Sequence, residues 1–258
     1  MSLTNEQKLL VEKLNKEFDV LGLKKFESHI KIEKPRPINQ PSDLVQYIEH
    51  TILKPEATPE QVIKLCDEAK QYKFKAVCIN PVYTFEAKKQ LKGTDVLIVT
   101  VIGFPLGSNL TKTKEEEAKD VIKAGANEVD MVMAVGLLKG KQYKLVYDDI
   151  RAVVKAAGSA PVKVIIENCL LEDSEKIVAC LLAMRAGASY VKTSTGFSKS
   201  GATVEDIALM RATVGDALGV KAAGGIRDYQ TAKAMIEAGA NRIGCSASVE
   251  IIKDKSVF

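Results

Sequence analysis

From about residue 42 onward, short apolar runs alternate with longer stretches whose apolar residues recur at helical spacing, one cycle every 25 to 35 residues or so. The runs are Val45 to Leu53, Ala76 to Asn80, Val96 to Gly103, Glu128 to Ala134, Val162 to Glu167, Tyr190 to Ser194, Gly219 to Ala223 and Arg242 to Cys245, eight in all. Helical windows such as Pro59 to Tyr72, Thr113 to Ala124, Asp173 to Ala186, Thr203 to Leu218 and Tyr229 to Ala238 lie between them, several opened by Thr, Ser or Asp. Alternating strands and helices predict a parallel sheet, and eight such units predict an α/β fold closed as a (β/α)8 TIM barrel.

A repeated turn supports that count. Ala-Gly-Ala stands at residues 124 to 126, 186 to 188 and 238 to 240, each time between a helical window and an apolar run. Glycine supplies the left-handed stop, and its small neighbours allow a tight turn into the strand. Four residues past each closing Ala come Asp130, Lys192 and Gly244, which should occupy equivalent strand positions and point to the same side of the barrel wall.

The N-terminal stretch reads differently. Leu9, Leu10, Leu14, Phe18 and Leu21 keep helical spacing behind Thr4 or Asn5 as cap, and the pattern breaks at Gly22. Pro35, Pro37 and Pro41 then hold the chain extended. Residues 1–40 are expected to be a helical extension and linker, and residues 41–258 the catalytic barrel. The extension either packs under the barrel or sits at a subunit contact.

Composition narrows the functional classes. The 258 residues are 46% apolar and 27% charged, a globular balance that leaves no case for disorder. Only 5% are aromatic and none is Trp, which does not suit an aromatic platform for single-stranded nucleic acid. The net charge of +4 is small, and residues 24 to 36 alone hold five basic against two acidic side chains, so neither nucleic acid nor membrane is expected as partner. Five scattered cysteines without a Cys-x-x-Cys pair fit reduced thiols in the cytoplasm. No run of 18 apolar residues and no secretory start is present. With His29 in the basic stretch and His50 apart from a second ligand, no metal is expected, although an all-carboxylate magnesium site stays open on this ground.

Parallel strands covered on both faces should be apolar, so ionisable groups within them need a reason. Lys163, Lys192 and Lys221 each follow a Val, 29 residues apart, one on each of the fifth to seventh runs. Asp130 lies in the fourth run, and Glu167 shares the face of Lys163 and Ile165 by the two-residue strand alternation, which predicts a ring of alternating charge inside the barrel wall. A lysine close to another cation and withdrawn from water has its neutral form favoured, and a neutral amine attacks carbonyls to form a Schiff base. A nearby carboxylate can shuttle the protons. Lys192 is the expected nucleophile, because Thr-Ser-Thr-Gly follows it toward the C-terminal end of its strand, where barrel active sites lie. Lys221 is its expected activating partner. Gly224-Gly225 after strand seven, Gly244-Cys245-Ser246 after strand eight and Thr195-Gly196 after strand six supply backbone that can approach an anion, as a phosphate of a small carbonyl substrate requires.

These same stretches carry a family resemblance. His-Thr-Ile-Leu-Lys-Pro at 50 to 55, Val-Cys-Ile-Asn-Pro at 77 to 81, Gly-Phe-Pro-Leu-Gly at 103 to 107, Asn-Glu-Val-Asp-Met-Val at 127 to 132, Val-Lys-Val-Ile-Ile-Glu at 162 to 167, Val-Lys-Thr-Ser-Thr-Gly-Phe at 191 to 197, Val-Lys-Ala-Ala-Gly-Gly-Ile-Arg at 220 to 227 and Arg-Ile-Gly at 242 to 244 resemble the 2-deoxyribose-5-phosphate aldolase family of class I aldolases. The resemblance covers about residues 42 to 252. It implies a cofactor-free lyase that cleaves 2-deoxy-D-ribose 5-phosphate reversibly to acetaldehyde and D-glyceraldehyde 3-phosphate in deoxynucleoside and deoxynucleotide breakdown. It implies a Schiff base on Lys192, tuning by Lys221, proton transfer by Asp130 with Lys221, and phosphate binding by Gly196, Gly224, Gly225, Gly244 and Ser246. Glu49 stands where the family usually has Asp, and Ala247 where a second Ser often helps, a loss on the scale of about 0.5 to 1.5 kcal/mol for one hydrogen bond. The oligomeric state stays open, with a homo-oligomeric dimer or tetramer among the readings. A related sugar-phosphate aldolase, a transaldolase and a non-catalytic sugar-phosphate sensor are the competing functions.

Overall fold

The computed structural model describes residues 2–28 and 30–254, so His29 lies outside the described residues. Eight strands close a parallel barrel in simple sequence order: β1 Ile48–Ile52, β2 Ala76–Ile79, β3 Leu97–Ile102, β4 Glu128–Val132, β5 Val162–Ile165, β6 Tyr190–Lys192, β7 Gly219–Ala223 and β8 Arg242–Cys245. Ten α-helices accompany them among the described residues: α1 Asn5–Val20, α2 Pro59–Tyr72, α3 Thr84–Gln90, α4 Thr111–Ala124, α5 Val135–Lys139, α6 Tyr143–Ala157, α7 Asp173–Arg185, α8 Val204–Val214, α9 Tyr229–Glu237 and α10 Ser248–Ile252. Among the described residues, no helix is long and apolar enough to cross a membrane.

Local chemistry accounts for the boundaries. Thr58 caps α2 with Gln61 in a reciprocal capping box, with Pro59 at the first helical position, where its missing N–H costs nothing. Each Ala-Gly-Ala glycine, Gly125, Gly187 and Gly239, has positive φ and ends its helix where a side chain would strain the backbone. Several elements are shorter than the apolar pattern, and two of them differ most. The run from Val45 becomes strand only at Ile48, because the Asp43 carboxylate accepts from the N–H groups of Asn39 and Gln40 and winds Pro41–Leu44 into a 3-10 turn. The window from Thr203 stops at Val214 rather than Leu218, where Gly215 turns to φ 55° and the Arg211 guanidinium collects the carbonyls of Gly215, Leu218 and Gly239.

The main apolar core fills the space between helices and barrel wall. Inside the barrel the contents divide. Leu53, Ala76, Cys78, Val99 and Val101, with Leu97 and Phe104 against them, form a separate apolar cluster on the β1 to β3 side. The β4 to β8 side, with Glu49 from β1, is filled by ionisable groups.

The chain before the barrel crosses its N-terminal end. Leu14 and Phe18 of α1 are buried, and burial of such side chains contributes about 1.5 to 3 kcal/mol each. Arg185 at the end of α7 donates to Asp19, to the Leu23 carbonyl and to both the carbonyl and side chain of Asn15. Beyond α1 the Arg151 guanidinium stacks 3.5 Å over the Phe26 ring, Ser28 meets Ser189, and Asn241 donates to the Glu33 carbonyl.

Candidate active site

The barrel's closure assembles one buried charge cluster from six strands. Asp130 on β4 is the register partner of Lys163 on β5, and Lys192 on β6 is the register partner of Lys221 on β7. The stagger of strands needed to close a barrel brings these two pairs together. One Asp130 oxygen accepts from Lys192 at 2.7 Å and from Lys221 at 2.6 Å, and the other accepts from Lys163 at 3.0 Å. Lys221 also donates to Glu49 on β1, and Lys163 contacts Glu128 at 2.5 Å and Glu49 at 3.5 Å. Arg242 on β8 closes the set 3.2 Å from Glu128. Glycines make room for it: a Cβ on Gly219 would overlap the Tyr190 ring, and one on Gly244 would sit 3.0 Å from Lys221 Cε.

Four cations and three carboxylates, none more than 8% exposed in its side chain, thus neutralise one another inside a low-dielectric wall. Burial alone would raise the Asp130 pKa, but Lys163, Lys192 and Lys221 outweigh it and hold the carboxyl well below the usual range. Burial alone would lower Lys221, yet Asp130 and Glu49 hold its pKa above the ordinary lysine value, and Asp130, Glu128 and Glu49 do the same for Lys163. The cluster carries one proton more than electroneutrality requires. Lys163 faces three carboxylates and Lys221 two, whereas Lys192 faces only Asp130.

Lys192 is also the lysine that reaches open space. It lies on a cavity of about 710 Å³ at the C-terminal end of the barrel, together with Gly196, Gly224, Gly225, Gly244 and Ser246. Asp130 and Lys221 lie beneath it and are fully buried. Among the described residues, no protein acceptor takes the backbone N–H of Gly196, Gly224, Gly225 or Ser246. These loops are held by their neighbours: Ala202 donates to the carbonyls of Ala223 and Gly224, and Thr193 bonds the Ala223 carbonyl. Phe104 meets Phe197 edge-on at 5.4 Å between centroids, and Phe197 is on the cavity wall.

Glu167 is a correction to the charge ring read from sequence. Strand β5 ends at Ile165, and Glu167 adopts left-handed backbone at φ 56°, so the two-residue alternation does not carry through it. Its carboxylate accepts from the Thr195 N–H and hydroxyl instead of from a lysine. Glu49, Glu128 and Arg242 take the places around the lysines. Glu128 was findable: it lies two residues before Asp130 on the same strand and so on the same face.

His50, read from sequence as standing apart, lies on the cavity wall with Nδ1 2.9 Å from Ser248 and Nε2 2.8 Å from Glu68. Its burial lowers its pKa against the opposing pull of Glu68. Glu49, Cys78 and Asp130 bring three ligand atoms within 4.8 Å of one another, a spacing that suits a metal. Both carboxylates there are already bonded to Lys221, and burial pushes the Cys78 thiol up, so the donor set favours the ammonium over a dication.

A family model described as DeoC/LacD family aldolase matches residues 44–252. The deoxyribose-phosphate aldolase of Clostridium tetani is 58% identical over 213 residues, covering 82% of this chain and 99% of its own. A solved structure from Coccidioides immitis superposes with a TM-score of 0.84 at 40% identity over 97% of both chains. The tetrameric deoxyribose phosphate aldolase of Aeropyrum pernix gives 0.80 at 36% identity over 86% of this chain and 94% of its own.

Proposed function

The chain belongs to the DeoC/LacD family of aldolases, and on that premise we propose that it cleaves 2-deoxy-D-ribose 5-phosphate through a Schiff base on Lys192. The observation that carries this reading is the position of Lys192: the least-countered cation of the buried cluster, facing a cavity rimmed by unpaired backbone N–H groups. Asp130 has a shared oxygen on both Lys192 and Lys221, so a proton leaving Lys192 has an acceptor and a neighbouring cation at once.

The neutral Lys192 amine adds to the C1 aldehyde, and loss of water leaves an iminium. A base takes the C3 hydroxyl proton, the C2–C3 bond breaks, and its electron pair moves into the iminium to give an enamine and glyceraldehyde 3-phosphate. Protonation at C2 and hydrolysis release acetaldehyde and restore the amine. Asp130 with Lys221 exchanges these protons, while Lys221, held cationic by Asp130 and Glu49, keeps a positive charge beside Lys192. Lys163, with three carboxylates around it, balances the charge from below. The substrate phosphate sits on the N–H groups of Gly196, Gly224, Gly225 and Ser246, with the Ser246 hydroxyl as a further donor, and Gly244 leaves room for Lys221 beneath.

On this reading catalysis belongs to residues 41–258, residues 1–40 are an extension, and the enzyme serves deoxynucleoside breakdown in the cytoplasm, with the tetrameric relative of Aeropyrum pernix supporting a homo-oligomer. Incubation with acetaldehyde and borohydride should add mass at Lys192, and a coupled assay should register cleavage of deoxyribose 5-phosphate. Full activity in Lys192→Met, or no adduct at Lys192 in active enzyme, refutes the assignment.

A further inference from the structure

We propose that Glu167 is a positioning residue for the phosphate, acting through the turn that follows Lys192. This rests on the reading that the turn's Gly196 N–H binds the substrate phosphate. Glu167 is 4% exposed, and no Lys, Arg or His of the described residues lies within ion-pair distance of it. A buried carboxylate without a counterion needs strong donors, and Thr195 supplies two: its N–H at 3.2 Å and its hydroxyl at 2.5 Å.

These bonds dictate the turn's donor pattern. Because the Thr195 hydroxyl donates to Glu167, its oxygen is left as acceptor, and the Phe197 N–H donates to it at 3.1 Å. The N–H groups before and after Gly196 are therefore both consumed, and that of Gly196 remains for the cavity. Gly196 itself has φ 84°, a conformation that glycine alone holds easily. Glu167 reaches this turn from the end of β5 only because its own backbone is left-handed, and Asn168 then bonds the Thr193 carbonyl to lock the crossing. Unusual backbone geometry over-determined by its surroundings is what functional sites retain. Glu167 touches none of the three catalytic groups, so its effect should fall on phosphate affinity and spare the Schiff base.

The test compares the wild-type enzyme with Glu167→Ala and Glu167→Gln in three assays: calorimetric binding of inorganic phosphate, kinetics on deoxyribose 5-phosphate, and borohydride trapping of acetaldehyde at Lys192. Glu167→Ala should weaken phosphate binding at least fivefold and raise KM by a similar factor, with kcat falling less than threefold and trapping retained. Glu167→Gln, which keeps an acceptor for Thr195, should recover a large part of the loss. Should the Ala variant fail to fold, Thr195→Val, which removes the donated hydroxyl, is read in its place with the same expected weakening. Unchanged phosphate affinity in either variant, an equal loss of trapping, or wild-type enzyme that binds no phosphate overturns the proposal. Wild-type enzyme that binds phosphate but leaves deoxyribose 5-phosphate intact overturns the substrate assignment, and the binding assay still decides on Glu167.

Discussion

Replacing Asp130 by Asn separates the two jobs of this carboxylate. It accepts from three lysines at 2.6 to 3.0 Å and is fully buried, so the isosteric amide leaves the packing but deletes the charge. The cluster then holds four cations against two carboxylates. Breaking a buried ion pair typically costs about 3 to 5 kcal/mol, and shedding a lysine proton limits the damage at roughly 1.4 kcal/mol for each unit of pKa displaced. A domain with the usual reserve of about 5 to 15 kcal/mol stays folded, and the change should appear as a lower urea midpoint with unaltered slope. Turnover should fall by about two to four orders of magnitude, the scale of general acid–base catalysis. Trapping of acetaldehyde should survive, since Lys192 keeps its amine and its place on the cavity wall. A folded variant that turns over within tenfold of wild type, or one that no longer forms the borohydride adduct, refutes this division.

Other consequences are as direct. Arg185→Ala removes four hydrogen bonds between α7 and the N-terminal segment, and should cost about 2 to 4 kcal/mol and speed proteolysis before Ile38 while kcat stays within about twofold. Equal protease sensitivity would show that α1 is held by its apolar face alone. Stability should be flat across neutral pH and fall at both extremes. Lys163 and Lys221 have raised folded pKa values, so their contribution is complete below the ordinary lysine value and is lost as pH rises above it. Asp130 is depressed, so its contribution is complete above the ordinary Asp value and is lost on acidification below it, while His50, lowered by burial, starts a shallower decline below about pH 6.5. Urea titrations across pH check this, and a maximum above pH 11 would contradict it. EDTA should leave turnover unchanged, because Lys221 occupies the carboxylates that a dication would need. Loss of activity that zinc restores would reverse that conclusion.

The barrel and its reactive lysines were legible because they obey short-range periodicities. The 29-residue spacing of Lys163, Lys192 and Lys221 is one strand-helix unit, and the three Ala-Gly-Ala turns mark where strands begin. The partners of those lysines depend on barrel stagger, which no local pattern encodes: Glu49 reaches Lys221 across the seam where β1 meets β8. Glu167 was misplaced for the opposite reason. The alternation was extended two residues beyond the strand, past a backbone reversal that an apolar run does not announce. The polar contacts of His50 were hidden as well, since Glu68 comes from α2 and Ser248 from α10.

The division of the barrel interior has a stereochemical consequence. The apolar cluster from β1 to β3 stands on one side, and the Asp130 carboxylate shared by Lys192 and Lys221 stands on the other. The C2 carbon of a sugar tethered to that amine therefore meets the apolar cluster on one face and the proton relay on its opposite face. Proton exchange at C2 should therefore favour one face, and in deuterium oxide the intact sugar held as its Schiff base should exchange one of its two inequivalent C2 hydrogens ahead of the other.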